Sequence, residues 1–380
     1  MQYDVKQIQE TNAFSCLECG KCTGACPVAR YSHTFSPRHI LTASIHNSHP
    51  DSFPRADLWS CLTCKRCDEV CPSDIKYIDF IQLIRQFQGL ENREGTCSHG
   101  GILEAISRIM TAPDLKQQRL SGLNGDLQTS KTSDYLYFMG CLPYFDVLFS
   151  DMNVNALNIA RNTLKILNYL DIKPQLLTDE KCCGHDAYWN GDMNTFQKLA
   201  LANLEQIKKS KAKNIITACP ECYRTLKIDY PKYFGNQEFQ VQHISEFMSE
   251  QIAGLKLKAG QDILKVTFQD PCRLGRHLSI YEPPRETLKS IHGVDLVEMG
   301  HHHKRAVCCG VSGWMNCSQV SKQIQINRLM EAQASGADVM VTSCAKCKIH
   351  FSCALEDAKL RKEVTFEIKD LTEVIGESLQ

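Results

Sequence analysis

From Tyr135 onward, apolar residues fall into short runs that alternate with longer stretches of helical period. DYLYFMGC predicts a strand ending at Cys141, and VNALNIARNTLKILNYL has the spacing of a helix. QLLTDEKCCG runs from a short strand into a turn, and NIITACPEC reads as another strand ending in cysteines. The same order then returns. KVTFQDPC ends at Cys272, ETLKSIHG is helical, and RAVCCG, the helical SKQIQINRLMEAQASG and the strand of DVMVTSCAKC follow. Strand–helix alternation favours parallel sheet, in which ligands sit beyond the carboxyl ends of the strands, where these cysteines fall. Upstream the pattern differs: two cysteine runs precede an amphipathic helix at about residues 78–87, and the polar LSGLNGDLQTSKTSD at 120–134 reads as a linker. The predicted segments are 1–95, a linker at 96–134, and two α/β units at 135–258 and 259–380.

Composition changes this picture in one respect. Hydrophobic residues at 43% and charged residues at 23% fit an ordinary globular chain. The 43 basic and 43 acidic side chains balance, which excludes a general attraction to nucleic acid or anionic lipid. No apolar stretch approaches the ~18–20 residues needed to span a bilayer. The start MQYDVKQIQETNAFSC lacks a basic n-region and an apolar h-region, so the expected compartment is the cytoplasm, with any membrane association through partners. Cysteine is the outlier at 21 residues, and clustered thiols in a reducing compartment point to metal or redox chemistry.

CLECGKCTGACP places Cys16, Cys19, Cys22 and Cys26 in the spacing C-x2-C-x2-C-x3-C-P, and CLTCKRCDEVCP repeats it with Cys61, Cys64, Cys67 and Cys71. Each two-residue gap turns the chain back onto one cubane [4Fe-4S] cluster, and the cysteine before proline points to the other cluster. The expected sets are Cys16, Cys19 and Cys22 with Cys71, and Cys61, Cys64 and Cys67 with Cys26. Structural zinc on C-x2-C pairs is the competing reading, and two complete matches weigh against it.

The second half carries Cys141, Cys182-Cys183-Gly184 and Cys219-x2-Cys222, then Cys272, Cys308-Cys309-Gly310 and Cys344-x2-Cys347. The copies lie 125–131 positions apart, an internal duplication. Adjacent cysteines need a tight turn to face one site, which the following glycine permits. Five thiolates exceed what one zinc ion or one cubane requires.

The 34 residues between Cys26 and Cys61, with FSPRHIL and LWSCLTCKRC, resemble the α-helical ferredoxin modules of heterodisulfide reductase C subunits. The doubled five-cysteine pattern, with DPCRLGRHLSIYEPPRE and CCGVSGW, resembles the CCG domains of heterodisulfide reductase B subunits. The chain as a whole is similar to the fused D-type subunits of that family. The resemblance implies a mixed α and β fold: an α-helical ferredoxin with two [4Fe-4S] clusters, then two duplicated Rossmann-like CCG domains. It also implies one noncubane [4Fe-4S] cluster per CCG motif, facing a cleft where a disulfide is reductively split. Trp314 and Met315 after CCGVSG, and His185 after the first CCG, depart from the family's smaller residues and would reshape that cleft.

The implied function is an oxidoreductase subunit that passes single electrons through the cubanes to the noncubane clusters. Cys182, Cys183, Cys308, Cys309 and Arg273 would act on a bound disulfide. The alternative is a relay for a flavoenzyme, of the glycerol-3-phosphate or glycolate dehydrogenase type or of an electron-bifurcating or acyl-CoA reductase complex. No G-x-G-x-x-G after a strand and no P-loop occurs, so a flavoprotein partner is expected to convert hydride to single electrons. Arg273, Arg276 and His277 could orient a carboxylate or donate protons, or could be surface salt-bridge partners. Cys97, Cys317 and Cys353 read as small buried hydrophobes, and His301-His302-His303 as a solvated loop.

Overall fold

The computed structural model describes residues 5–46, 55–88, 97–123, 125–260, 262–315 and 317–380. The described part of the N-terminal segment folds as helices only, including Pro37–His46, Arg55–Ser60 and Tyr77–Gln88. The apolar face expected at 78–87 is the one that packs: Phe80, Ile81 and Ile84 bury against Leu58 and Trp59. Arg85 on the same helix is buried and donates to the carbonyls of Leu58 (2.9 Å), Cys61 (2.7 Å) and Trp189 (2.8 Å). One guanidinium thus fixes a cysteine loop and docks it on the following α/β unit.

Among the described residues seven strands follow: β1 (Tyr135–Tyr137), β2 (Asn214–Thr217), β3 (Gln240–His243), β4 (Leu264–Gln269), β5 (Val294–Leu296), β6 (Val339–Thr342) and β7 (Glu367–Asp370). They form two parallel sheets, ordered β1-β2-β3 and β5-β4-β6-β7. β6, buried at every position, shows the continuous apolar run typical of a strand covered on both faces. Cys141, Cys219, Cys272 and Cys344 each lie two to four residues beyond the carboxyl end of β1, β2, β4 or β6. The duplication therefore becomes two sheets with thiols at matching ends.

Three expectations are corrected. QLLTDEKCCG holds no named strand, and Gln175 makes only an isolated bridge to Leu136. RAVCCG, whose apolar residues look strand-like in sequence, forms no named strand. The segment expected to be a linker carries one helix, Ile102–Ile109, after a tight turn at Ser98–Gly101, and the rest of its described residues form no named element. Met110 from it is buried, and its Sδ accepts from the Cys182 amide at 3.2 Å. Arg119 is buried as well, pairing with Glu180 at 2.6 Å and donating to the Gly140 carbonyl at 2.6 Å. The two α/β units also interlock. The C-terminal helix Leu371–Ser378 packs on the helix Ala156–Tyr169 of the first unit, where Thr372 donates to the Ile159 carbonyl at 3.4 Å.

Candidate metal centres

The two N-terminal cysteine loops share one backbone conformation. In the first, Glu18 (φ 51°) and Gly20 (φ 76°) are left-handed; in the second, Thr63 (φ 45°) and Lys65 (φ 64°) occupy the same places. A β-branched residue in that region is strained, and its neighbours hold it. The turn lets the third residue's amide donate back to the first sulfur, Glu18 N to Cys16 Sγ and Thr63 N to Cys61 Sγ, both at 3.4 Å. Such N–H donors stabilise a thiolate.

Cys16, Cys19, Cys22 and Cys71 line one cleft of about 450 Å³, together with Cys67. Cys26 lies within electrostatic range of Cys61 and Cys64, and Cys67 of Cys61, Cys64 and Cys26. The fold thus carries the last cysteine of each run across to the first three of the other. The sets differ in exposure: Cys19 is open to solvent, whereas Cys61, Cys64 and Cys67 are buried. Burial pushes the Cys61 thiol up to about 11 although the Arg85 charge opposes it, and drives Cys67 well above its ordinary value. Buried thiols without a cation stay protonated; a bound metal would deprotonate them. Four converging sulfurs with backbone N–H donors fit a cluster by their donor chemistry.

Each α/β unit gathers its five cysteines into one chain of contacting thiols. In the first, Cys182 meets Cys141 and Cys183, Cys183 meets Cys222, and Cys222 meets Cys219. In the second, Cys308 meets Cys272 and Cys309, Cys309 meets Cys347, and Cys347 meets Cys344. All ten predicted thiols are thereby brought together in two sets. Hydrogen bonds from neighbouring thiols hold Cys182 well below the ordinary range and do the same for Cys309. Gly184 (φ 83°) and Gly310 (φ 93°) make the expected turn after each cysteine pair. A Cβ on Gly310 would stand 2.7 Å from the Ser321 carbonyl oxygen, so only glycine fits.

Between the two sets lies a buried ionic network that sequence reasoning missed. Glu221 stands inside Cys219-x2-Cys222, and Lys346 occupies the equivalent position inside Cys344-x2-Cys347. They pair across the interface at 2.7 Å, and Lys346 also meets Asp186 at 2.6 Å. The two carboxylates hold the Lys346 ammonium charged against its burial. His185 contacts Asp186 at 3.0 Å and Glu221 at 3.5 Å, and burial drops its pKa to about 3. Trp314, left-handed at φ 55° and buried, stacks on Phe149 with ring centroids 5.4 Å apart, and Lys346 sits 5.1 Å from its ring centroid. The sign exchange between Glu221 and Lys346 was legible only by aligning the two copies position by position.

Arg273 is buried rather than a surface ion-pair partner. It donates to Thr63 Oγ1 (2.6 Å), His185 Nε2 (2.8 Å) and Ser312 Oγ (3.4 Å), and stacks over Trp189 at 4.5 Å. It clamps three segments together while lining a small cleft with Cys272, Cys309, Lys346 and Glu221. Of the cysteines outside the sets, Cys317 is exposed and Cys97 and Cys353 only part-buried, so the expectation of buried thiols is corrected. Cys353 Sγ accepts from Lys322 Nζ at 3.5 Å. His301 pairs with Glu331 at 2.7 Å and His303 with Glu282 at 2.8 Å.

A family model described as a 4Fe-4S dicluster domain matches residues 12–75. A second, the cysteine-rich CCG domain, matches twice, at 135–227 and 266–352. The chain belongs to the iron–sulfur proteins that join these domains. Each CCG match encloses one complete five-cysteine set, and the dicluster match encloses both four-cysteine runs. The chain is 32% identical over 277 residues to the D-type polypeptide of dihydromethanophenazine:CoB–CoM heterodisulfide reductase from Methanosarcina mazei. That match spans 70% of this chain and 64% of the relative, just under two thirds of its length. It is 28% identical to EtfAB:quinone oxidoreductase of Syntrophomonas wolfei, over 67% of this chain and 35% of that one. It is also 26% identical to the B-type polypeptide of fumarate reductase (CoM/CoB) from Methanothermobacter marburgensis, over 94% of this chain and 71% of that one. Among the described residues, no helix is long and apolar enough to cross a membrane.

Proposed function

We propose that this chain is an iron–sulfur electron-transfer subunit of a heterodisulfide-reductase-like oxidoreductase complex in the cytoplasm. In this reading it relays single electrons for a flavoprotein partner rather than cleaving a disulfide itself. The thiol sets would hold two cubane clusters, on Cys16, Cys19, Cys22 and Cys71 and on Cys26, Cys61, Cys64 and Cys67. Two noncubane clusters would sit on the five-cysteine sets. Bound clusters supply one-electron chemistry at potentials set by burial, charge and hydrogen bonds to sulfur. The protein's own contribution is to bury the inner thiols, donate amides to their sulfurs and exclude water from the space between the CCG sites.

The observation that carries the relay reading is the Glu221–Lys346 pair, buried in that space at 2.7 Å with His185 and Asp186 against it. A disulfide reaching both sites would have to displace charged groups that satisfy one another. The second reading, disulfide cleavage, is favoured by the small cleft that Arg273 and Lys346 line beside Cys272, Cys309, Cys344 and Cys347. It is also the activity that the Methanosarcina mazei relative is named for. The test is to mix the anaerobic chain with reduced viologen and small organic disulfides. The relay reading expects rapid uptake of electrons to saturation, then no further viologen oxidation. Sustained turnover that Cys309→Ala abolishes would make the chain a disulfide reductase.

A further inference from the structure

The inner N-terminal set is not equidistant from the two CCG sites. Cys61, Cys64 and Cys67 share one continuous buried core with Cys308, Cys309, Cys344 and Cys347, and Cys272 packs against it. The first site's Cys182, Cys183 and Cys222 belong to other cores. Arg276 stands at the seam, 2% exposed. Its Nε donates to the Cys64 carbonyl at 2.6 Å and its Nη1 to the Ala306 carbonyl at 2.6 Å. Its Nη2 is buried with no partner. Among its described hydrogen bonds none goes to a carboxylate, and the sulfurs of Cys64, Cys272 and Cys308 lie within electrostatic range of it. A backbone clip for the 304–306 loop would need only Nε and Nη1. It leaves unexplained a buried charge with a spare donor between two thiol sets, which is costly without an anion.

Resting on the cluster assignments above, we propose that Arg276 is a positioning residue joining the inner N-terminal cluster to the second CCG site. It presents its charge and free Nη2 donor to both, so that electrons reach the CCG pair through the second site rather than the first. Removing the charge makes both neighbouring clusters harder to reduce and leaves the remote two nearly unchanged.

The experiment is an EPR-monitored redox titration of the anaerobically loaded full chain carrying Arg276→Gln or Arg276→Lys. For Gln, the reduction equilibria of the inner cubane and the second CCG cluster are expected to fall about tenfold, or about 59 mV for a one-electron couple. Lys, which keeps the charge, restores most of that shift. If Gln instead sheds iron, the loss is confined to those two signals and Lys recovers them. Equal shifts in all four signals, or no shift in a fully loaded variant, would overturn the inference. A parent chain lacking four clusters would count against the cluster assignments instead.

Discussion

His243 ends β3 and caps the helix Ile244–Glu250, its Nδ1 accepting from the Ser245 amide at 3.2 Å. Burial lowers its pKa to about 3. Unfolded, it would titrate at about 6.5. Above that value both states are neutral and His243 contributes nothing to the pH dependence. As pH falls from about 6.5 toward 3 only the unfolded chain takes the proton, so stability is lost, by at most about 1.4 kcal/mol per pH unit. Thermal midpoints read by circular dichroism between pH 7.5 and 5.5 are expected to fall more steeply in the parent than in His243→Gln. The Glu221–Lys346 pair makes a sharper case. Lys346→Met strands Glu221 and Asp186 without their cation, at a cost of about 3–5 kcal/mol. Adding Glu221→Gln is expected to recover part of it, and denaturant midpoints of the two variants check this. A double variant weaker than Lys346→Met would mean the pair is not what stabilises the interface.

At the scale of elements, the two cysteine loops are alike in backbone, and the last cysteine of each run lies beside the first three of the other. Cys71→Ser is therefore expected to remove the cluster of Cys16, Cys19 and Cys22 while leaving that of Cys61, Cys64 and Cys67. EPR of the reduced variant distinguishes the two, and loss of the nearer cluster would refute the crossing. Cysteine spacing made these loops and both five-cysteine sets readable in the sequence, because such sites depend on local turns. β2, β4 and β6 were equally plain: the apolar pairs and runs of NIIT and VMVT and the alternation of LKVTFQ mark the central strands. β3 and β7 were not: QVQH and EIKD lie at sheet edges with only one position of four fully buried, so no apolar pattern marks them. The packing of Met110 and Arg119 on the first CCG site was also hidden. Scattered single residues in a polar stretch carry no periodic signal, and their burial is decided by a surface that exists only after folding.

At the scale of the whole molecule, Arg85, Arg273 and Arg276 stitch the N-terminal helices to both α/β units. The C-terminal helix in turn closes back on the first unit. The four-cysteine sets differ in exposure: Cys19 is open to solvent, whereas Cys61, Cys64 and Cys67 are buried. The account stands or falls on whether all four sets hold clusters. The most direct measurement is iron and acid-labile sulfide per chain after anaerobic purification. Four clusters predict about 16 iron atoms per chain with equal sulfide. Zinc in place of iron, or a reproducible value of about 8 iron atoms with the five-cysteine sets empty, would contradict it.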